Sequence, residues 1–236
     1  MKRIVFSLLI SGFFLSSCEI TGNLPINTGN SGGLSTSEIA SGLKEALRVG
    51  TDTATKSLSA VNGFFSNAAV KVLMPPEAQK VEKTLRDIGM GKLVDNAILS
   101  MNRAAEDASK FAGNIFWDAI RQMTIQDAIG ILKGGDFAAT DYLKKHTTSQ
   151  LTAAFKPVVE KSLVKTDATK YWTDVFTVYN RFSTNPVNTD LTAYVTEKAL
   201  AGIFHEIGLE EQKIRKDPVA RVTEILRKVF GSNQAS

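Results

Sequence analysis

The sequence predicts an all-α protein: a single multi-helix domain, orthogonal or bundle-like, behind an N-terminal leader and a flexible tether. Three observations carry this. From Ser35 onward apolar residues recur at three-to-four spacing, the period of helices with one buried face. Helix-start residues and helix-stop glycines punctuate those runs. No stretch alternates apolar and polar residues in the two-residue period of a half-buried strand. With 43% apolar residues among 236, the chain can fill one good-sized core.

The leader comes first. Lys2 and Arg3 precede an uncharged apolar run from Ile4 to Leu15, followed by Ser16, Ser17 and Cys18. A basic start, about 7–15 apolar residues and small residues before a cut form a secretory signal. Spanning a bilayer as a helix takes ~20 residues. Leu15-Ser16-Ser17-Cys18 resembles the lipobox of bacterial lipoproteins. That resemblance implies lipidation of the Cys18 sulfur, cleavage before Cys18 and acylation of the new amino group. Residues 1–17 are then a lipoprotein signal peptide, and the membrane is the expected partner of acylated Cys18, because two acyl chains suffice for stable anchoring. Cys18 is the only cysteine. No disulfide is expected, and the exported domain must be held by its core.

Residues 18–34 read as the lipidated N-terminus and tether, rich in Gly and Asn with one charge, Glu19. About 16 such residues have a root-mean-square reach of roughly 20–25 Å. Glu19, where a retention signal would place aspartate, favours the periplasmic face of the outer membrane if the host has one. The helical domain is expected over 35–231, with a short tail at 232–236.

Within the domain, Ser35 and Glu38 form a capping-box pattern opening a helix to about Ala60, stopped by Asn62-Gly63. Pro75-Pro76 starts the next helix, which ends at Gly89-Met90-Gly91. Lys92 to Met123 reads as the longest periodic segment, with Val94, Ile98, Met101, Ala105, Phe111 and Ile115 on one face. Thr124 and Asp127 cap a short helix through Leu132, broken by Gly134-Gly135. Asp136 is expected to cap a helix to about Lys145. A further helix spans Leu151 to Val164, with Pro157 bending it or marking its start. Asp167 caps an aromatic helix, Ala168–Phe182. Asp190 caps a long helix carrying Leu200, Ile203, Phe204 and Ile207. Asp217-Pro218 opens the last helix, which Gly231 ends.

Catalytic chemistry is poorly supplied. His146 and His205 are the only histidines, and no Gly-x-Ser-x-Gly or phosphate-loop motif occurs. No metal site and no cofactor are expected. The net charge of +4 includes Lys2 and Arg3 of the leader, and no dense basic stripe suggests nucleic acid. Three candidate sites remain. Asn102, Arg103, Glu106 and Asp107 make two i, i+4 pairs on adjacent helix faces, as a polar site or a solvated surface. Gly134, Gly135 and Asp136 precede a helix whose N–H groups could face an anion, or simply form a turn. Tyr171, Trp172, Phe176 and Tyr179 are core aromatics or the lining of a cavity for an apolar ligand. The charged face Glu206–Lys216 reads as solvated.

Several longer runs resemble one family. These are Leu73-Met74-Pro75-Pro76, Met101-Asn102-Arg103-Ala104-Ala105-Glu106, Ile131-Leu132-Lys133-Gly134-Gly135-Asp136, and Val195-Thr196-Glu197-Lys198-Ala199-Leu200. They are similar to an uncharacterised family of exported bacterial proteins, domain of unknown function 4197, across roughly residues 35–231. The resemblance implies a helical periplasmic or lipoprotein domain and brings no activity with it. The expected function is therefore non-enzymatic binding or interaction in the envelope, with an unknown envelope protein as partner. A carrier of a lipid or other apolar ligand is the alternative, and a hydrolase using Glu106 or Asp107 is the weakest reading.

Overall fold

Ser35 begins the fold as the sequence requires. Its side chain accepts from the Glu38 N–H while the Glu38 carboxylate accepts from the Ser35 N–H, closing a full capping box. This computed structural model describes residues 34–165, 168–181, 186, 190–221 and 223–231. The leader, Cys18, the tether, Asp167 and Phe182 lie outside the described residues. Those described belong to one compact unit and include nine α-helices and no strand. All-α is the observed class.

Helix α1, Thr36–Ser59, buries Leu43, Leu47, Ala54 and Leu58 and is the central post. It packs against α3, Gly91–Ser109, α4, Ala112–Gln122, α5, Ile125–Leu132, α8, Leu191–Lys216, and α9, Glu224–Phe230. Helix α6, Ala138–Val164, lies against α3, α4 and α8. Helix α8 runs antiparallel to α1. Gly50 of α1 faces Glu210 and Ile214, whereas Gly202, nearer the start of α8, meets Phe64 and Val70 beyond the end of α1. A β-carbon at Gly202 would stand 2.6 Å from the Phe64 ring, so only glycine admits that fully buried aromatic. Helix α2, Gln79–Asp87, differs from the rest. It follows a 3-10 turn at Pro76–Ala78, buries no residue completely and packs on α3. Helix α7, Ala168–Asn180, contributes Ala168, Trp172 and Phe176 to the core.

Several expected boundaries shift, each for a local reason. The Lys92–Met123 segment is two helices. The chain tightens at Ala108–Phe111, where the Phe111 N–H reaches the Ala108 carbonyl at 3.0 Å. This turn lets α4 pack on α1 as well as on α6, and periodicity alone hides it because both halves bury apolar residues. Conversely, 138–164 is one helix. Pro157 sits inside it without ending it. Asp136 does not cap it; Phe137 is the N-cap residue and makes no side-chain cap. Pro76 opens a 3-10 turn before α2, and Gly89 adopts the left-handed φ of 82° that ends the helix. Asp217 closes α8, and the last helix is capped by Thr223.

Candidate functional site

Of the Asn102–Asp107 cluster, Asn102 and Glu106 are buried, whereas Arg103 and Asp107 stay partly open to solvent. Asn102 is fully buried on α3. Its amide oxygen accepts from the Val72 N–H at 2.9 Å, and its amide nitrogen donates to the Val72 and Ile98 carbonyls. One side chain thus satisfies both backbone polar groups of Val72 in the irregular 60–75 segment. Glu106, 3% exposed, accepts from the N–H groups of Phe64 and Phe65 at 3.2 Å each. Arg103 donates to its other oxygen and, through Nη2, to Asn62 at 2.7 Å. Asn62 holds a positive φ of 68°. Asn102, Arg103 and Glu106 therefore clasp the connection after α1 onto α3, as buried backbone groups require. Asp107 faces elsewhere, bonding Lys110 and, on α6, Ser162. Its carboxyl is held below the ordinary range. Partial burial acts to raise it, and Lys110, Ser162 and Lys165 together outweigh that.

The Gly134-Gly135-Asp136 segment is a helix–helix turn, and the helix start after it faces a carboxylate of the chain itself. Glu211 of α8 accepts from the Ala139 and Thr140 N–H groups at 3.0 and 2.8 Å, and from the Thr140 hydroxyl at 2.8 Å. Arg215, one turn on, donates twice to Glu211 and also to the Ile131 carbonyl ending α5 at 2.8 Å. A single ion pair thus caps the end of α5 and the start of α6, where orphan C=O and N–H groups would otherwise be buried. Lys216 ties Asp136 at 3.0 Å. The charged 206–216 face is thus solvated only in part: Glu211 and Arg215 are 5% and 13% exposed at their side chains. Glu211 was missed in the sequence because its partner segment lies far away along the chain. The only available signal was a Glu four residues before an Arg beside Ile207 and Ile214.

The aromatic helix borders an opening among the described residues. Trp172 and Phe176 meet with ring centroids 4.5 Å apart and planes tilted by 46°, and are 5% and 2% exposed. With Leu191 of α8 they form one wall of an apolar cleft of about 170 Å³. Val94, Ala97 and Met101 of α3 form the second wall, and Val81 and Leu85 of α2 roof it. Tyr171 and Tyr179 share the helix, but their side chains lie outside the described residues. The cleft runs to the α2–α3 connection, where Leu93 both lines it and is exposed, beside exposed Ile88 and Met90. Among the described residues no cluster of His, Cys, Asp or Glu could hold a metal ion, and no helix is long and apolar enough to cross a membrane.

Fold and site together define an all-helical domain with an interhelical apolar cleft and two internal carboxylate latches. The family model described as "Protein of unknown function (DUF4197)" matches residues 33–231, and the chain belongs to that family. No curated protein and no solved structure matches the chain.

Proposed function

We propose that this chain is an envelope protein, membrane-anchored through acylated Cys18, that acts by binding rather than by catalysis, and that the α2–α3–α7 cleft is its binding site. The observation that carries the reading is the Trp172–Phe176 wall facing an unfilled apolar cleft continuous with exposed Leu93. Well-packed interiors leave few such gaps. Exposed apolar residues beside a cleft are the usual mark of an interaction surface.

Size narrows the occupant. About 170 Å³ falls below the ~300–1,000 Å³ of sites for drug-sized ligands. It is near the ~150 Å³ of a core cavity that admits benzene. One bulky apolar group fits: an aromatic or aliphatic side chain from a partner polypeptide, with Ile88, Met90 and Leu93 meeting the flanking residues. The second reading, a small apolar molecule or the end of an acyl chain, is favoured by the mainly hydrocarbon lining. The volume weighs against a carrier that swallows a whole lipid. The carboxylate hydrolase finds little support, because Glu106 is committed to two backbone N–H groups and Arg103.

Site-specific photo-crosslinking in the host envelope tests this. A benzophenone side chain at Leu93 should give one discrete adduct. That adduct should disappear when Ala97→Trp fills the cleft, and a probe at Val219, 85% exposed on the far connection, should not give it. Equal adducts from both positions, or an adduct indifferent to Ala97→Trp, would sink the proposal.

A further inference from the structure

A second concave surface lies between α1 and α4, built from residues that neither the latches nor the cleft use. It is a groove of about 300 Å³ lined by Arg48, Thr51, Asp52, Gly113, Asn114 and Trp117. Its composition is the opposite of the cleft's. One wall is an aromatic ring with 41% of Trp117 exposed. The rest is hydrogen-bonding groups, and the bare Gly113 leaves the floor low, its nearest neighbour being the Thr55 hydroxyl at 4.0 Å.

The polar groups are pre-set. Arg48 lies between Glu45 and Asp52, donating to Asp52 at 3.2 Å, which fixes the guanidinium and one carboxylate oxygen along α1. Asp52 remains largely exposed, with 58% of its side chain open, so its other oxygen can accept. Asn114 is exposed and lines the groove. The first turn of α4 carries no side-chain cap, leaving backbone N–H donors at its start. Arg121 stands 5.9 Å from the Trp117 ring centroid and steadies the indole from the next turn.

An exposed indole beside hydrogen-bond donors and acceptors suits one ligand chemistry. The ring must have an axial C–H face to lie on indole and hydroxyls around its rim to bond carboxylate, amide and guanidinium. We infer that the α1–α4 groove is a saccharide-binding site in which a pyranose ring stacks on Trp117 and its hydroxyls bond Asp52, Arg48 and Asn114. Purely apolar ligands lose out because the groove's polar groups would be desolvated without partners. Simple anions are disfavoured by Asp52.

The two sites can be read separately, since the chain has two tryptophans: exposed Trp117 in the groove and buried Trp172 in the cleft. The test is calorimetric and fluorescence titration of the full chain, in a detergent without a sugar headgroup. The probes are an N-acetylglucosamine tetramer, maltotetraose and a lysozyme digest of peptidoglycan. The groove predicts saturable binding of at least one glycan, tighter than about 1 mM. Indole emission should change with it. Affinity should fall at least about tenfold in Trp117→Ala and in Asp52→Ala, a loss of about 1.4 kcal/mol, and Ala97→Trp in the cleft should leave it unchanged. Trp117 and Asp52 are surface residues, so their variants should keep the helical circular dichroism of the parent. No response to any of the three glycans, or binding that survives Trp117→Ala, overturns the inference. Neither result bears on the apolar cleft, whose own test is the Leu93 crosslink.

Discussion

Glu211 and Thr140 are joined twice: one Glu211 carboxylate oxygen accepts from the Thr140 N–H and from its hydroxyl, each at 2.8 Å. The same carboxylate pairs with Arg215, which reaches the end of α5. Two helix ends and their turn are thus held by one side chain of a third helix. Glu106 repeats the device on α3, accepting two consecutive N–H groups and pairing with Arg103. Glu106, a candidate site residue in the sequence, and Glu211, part of a face read as solvated, both close backbone hydrogen bonds.

Removing the Glu211 carboxylate should be costly. Glu211→Ala leaves Arg215 buried without its partner and the start of α6 uncapped, and breaking such a pair costs ~3–5 kcal/mol. Glu211→Gln keeps an acceptor near the N–H groups and should cost less. Urea denaturation followed by circular dichroism measures both. Equal stability of the wild type and Glu211→Ala would contradict the latch.

The Glu106 latch should follow the same order with a smaller ionic share. Arg103 is 36% exposed, and an ion pair this open to solvent contributes little. Glu106→Gln is therefore expected to cost about 1 kcal/mol, and Glu106→Ala about 1–3 kcal/mol for two unpaired buried N–H groups. Hydrogen exchange should report it locally, with the Phe64 and Phe65 amides losing protection before those of α6.

How far the sequence reads depends on how local each cause is. The capping boxes of Ser35–Glu38 and Thr124–Asp127 and the Asp190 cap were visible because cap and helix are three residues apart. The turn at Lys110 that splits 92–123 and the uncapped start of α6 were not, because tertiary partners decide them. On the aromatic helix Trp172 and Phe176 are buried and line the cleft, whereas the Tyr171 and Tyr179 side chains lie outside the described residues. The α1–α4 groove escaped notice because its two walls are separated in the chain and neither carries a motif alone.

Packing at Gly202 gives a steric prediction. Gly202→Ala gains about 0.5–1 kcal/mol of helix preference but drives a methyl into the Phe64 ring, and overpacking typically costs 1–3 kcal/mol. The net change should be destabilising. Combining it with Phe64→Leu should cost less than the two single changes added together, as contacting residues do. Simple additivity in denaturation midpoints would show that the two do not meet.

Acid should loosen the helix starts first. The Glu38 and Asp127 carboxyls are held below their ordinary range, chiefly by hydrogen bonds from the side chains of Ser35 and Thr124. A carboxyl lowered in the folded state contributes stability that is full above its unfolded value, ~4, and is lost as pH falls through its folded value. Stability should therefore decline below about pH 4, and Asp127→Asn should flatten part of that decline.

Native mass spectrometry of the full chain, extracted gently from its host envelope, tests the binding account most directly. The account predicts extra non-covalent mass that is lost on denaturation and absent from the Ala97→Trp variant. A mass of polypeptide size names a partner, and one of a few hundred daltons names an apolar ligand. A bare mass for the wild type, or the same adduct on Ala97→Trp, would contradict the cleft as the seat of function.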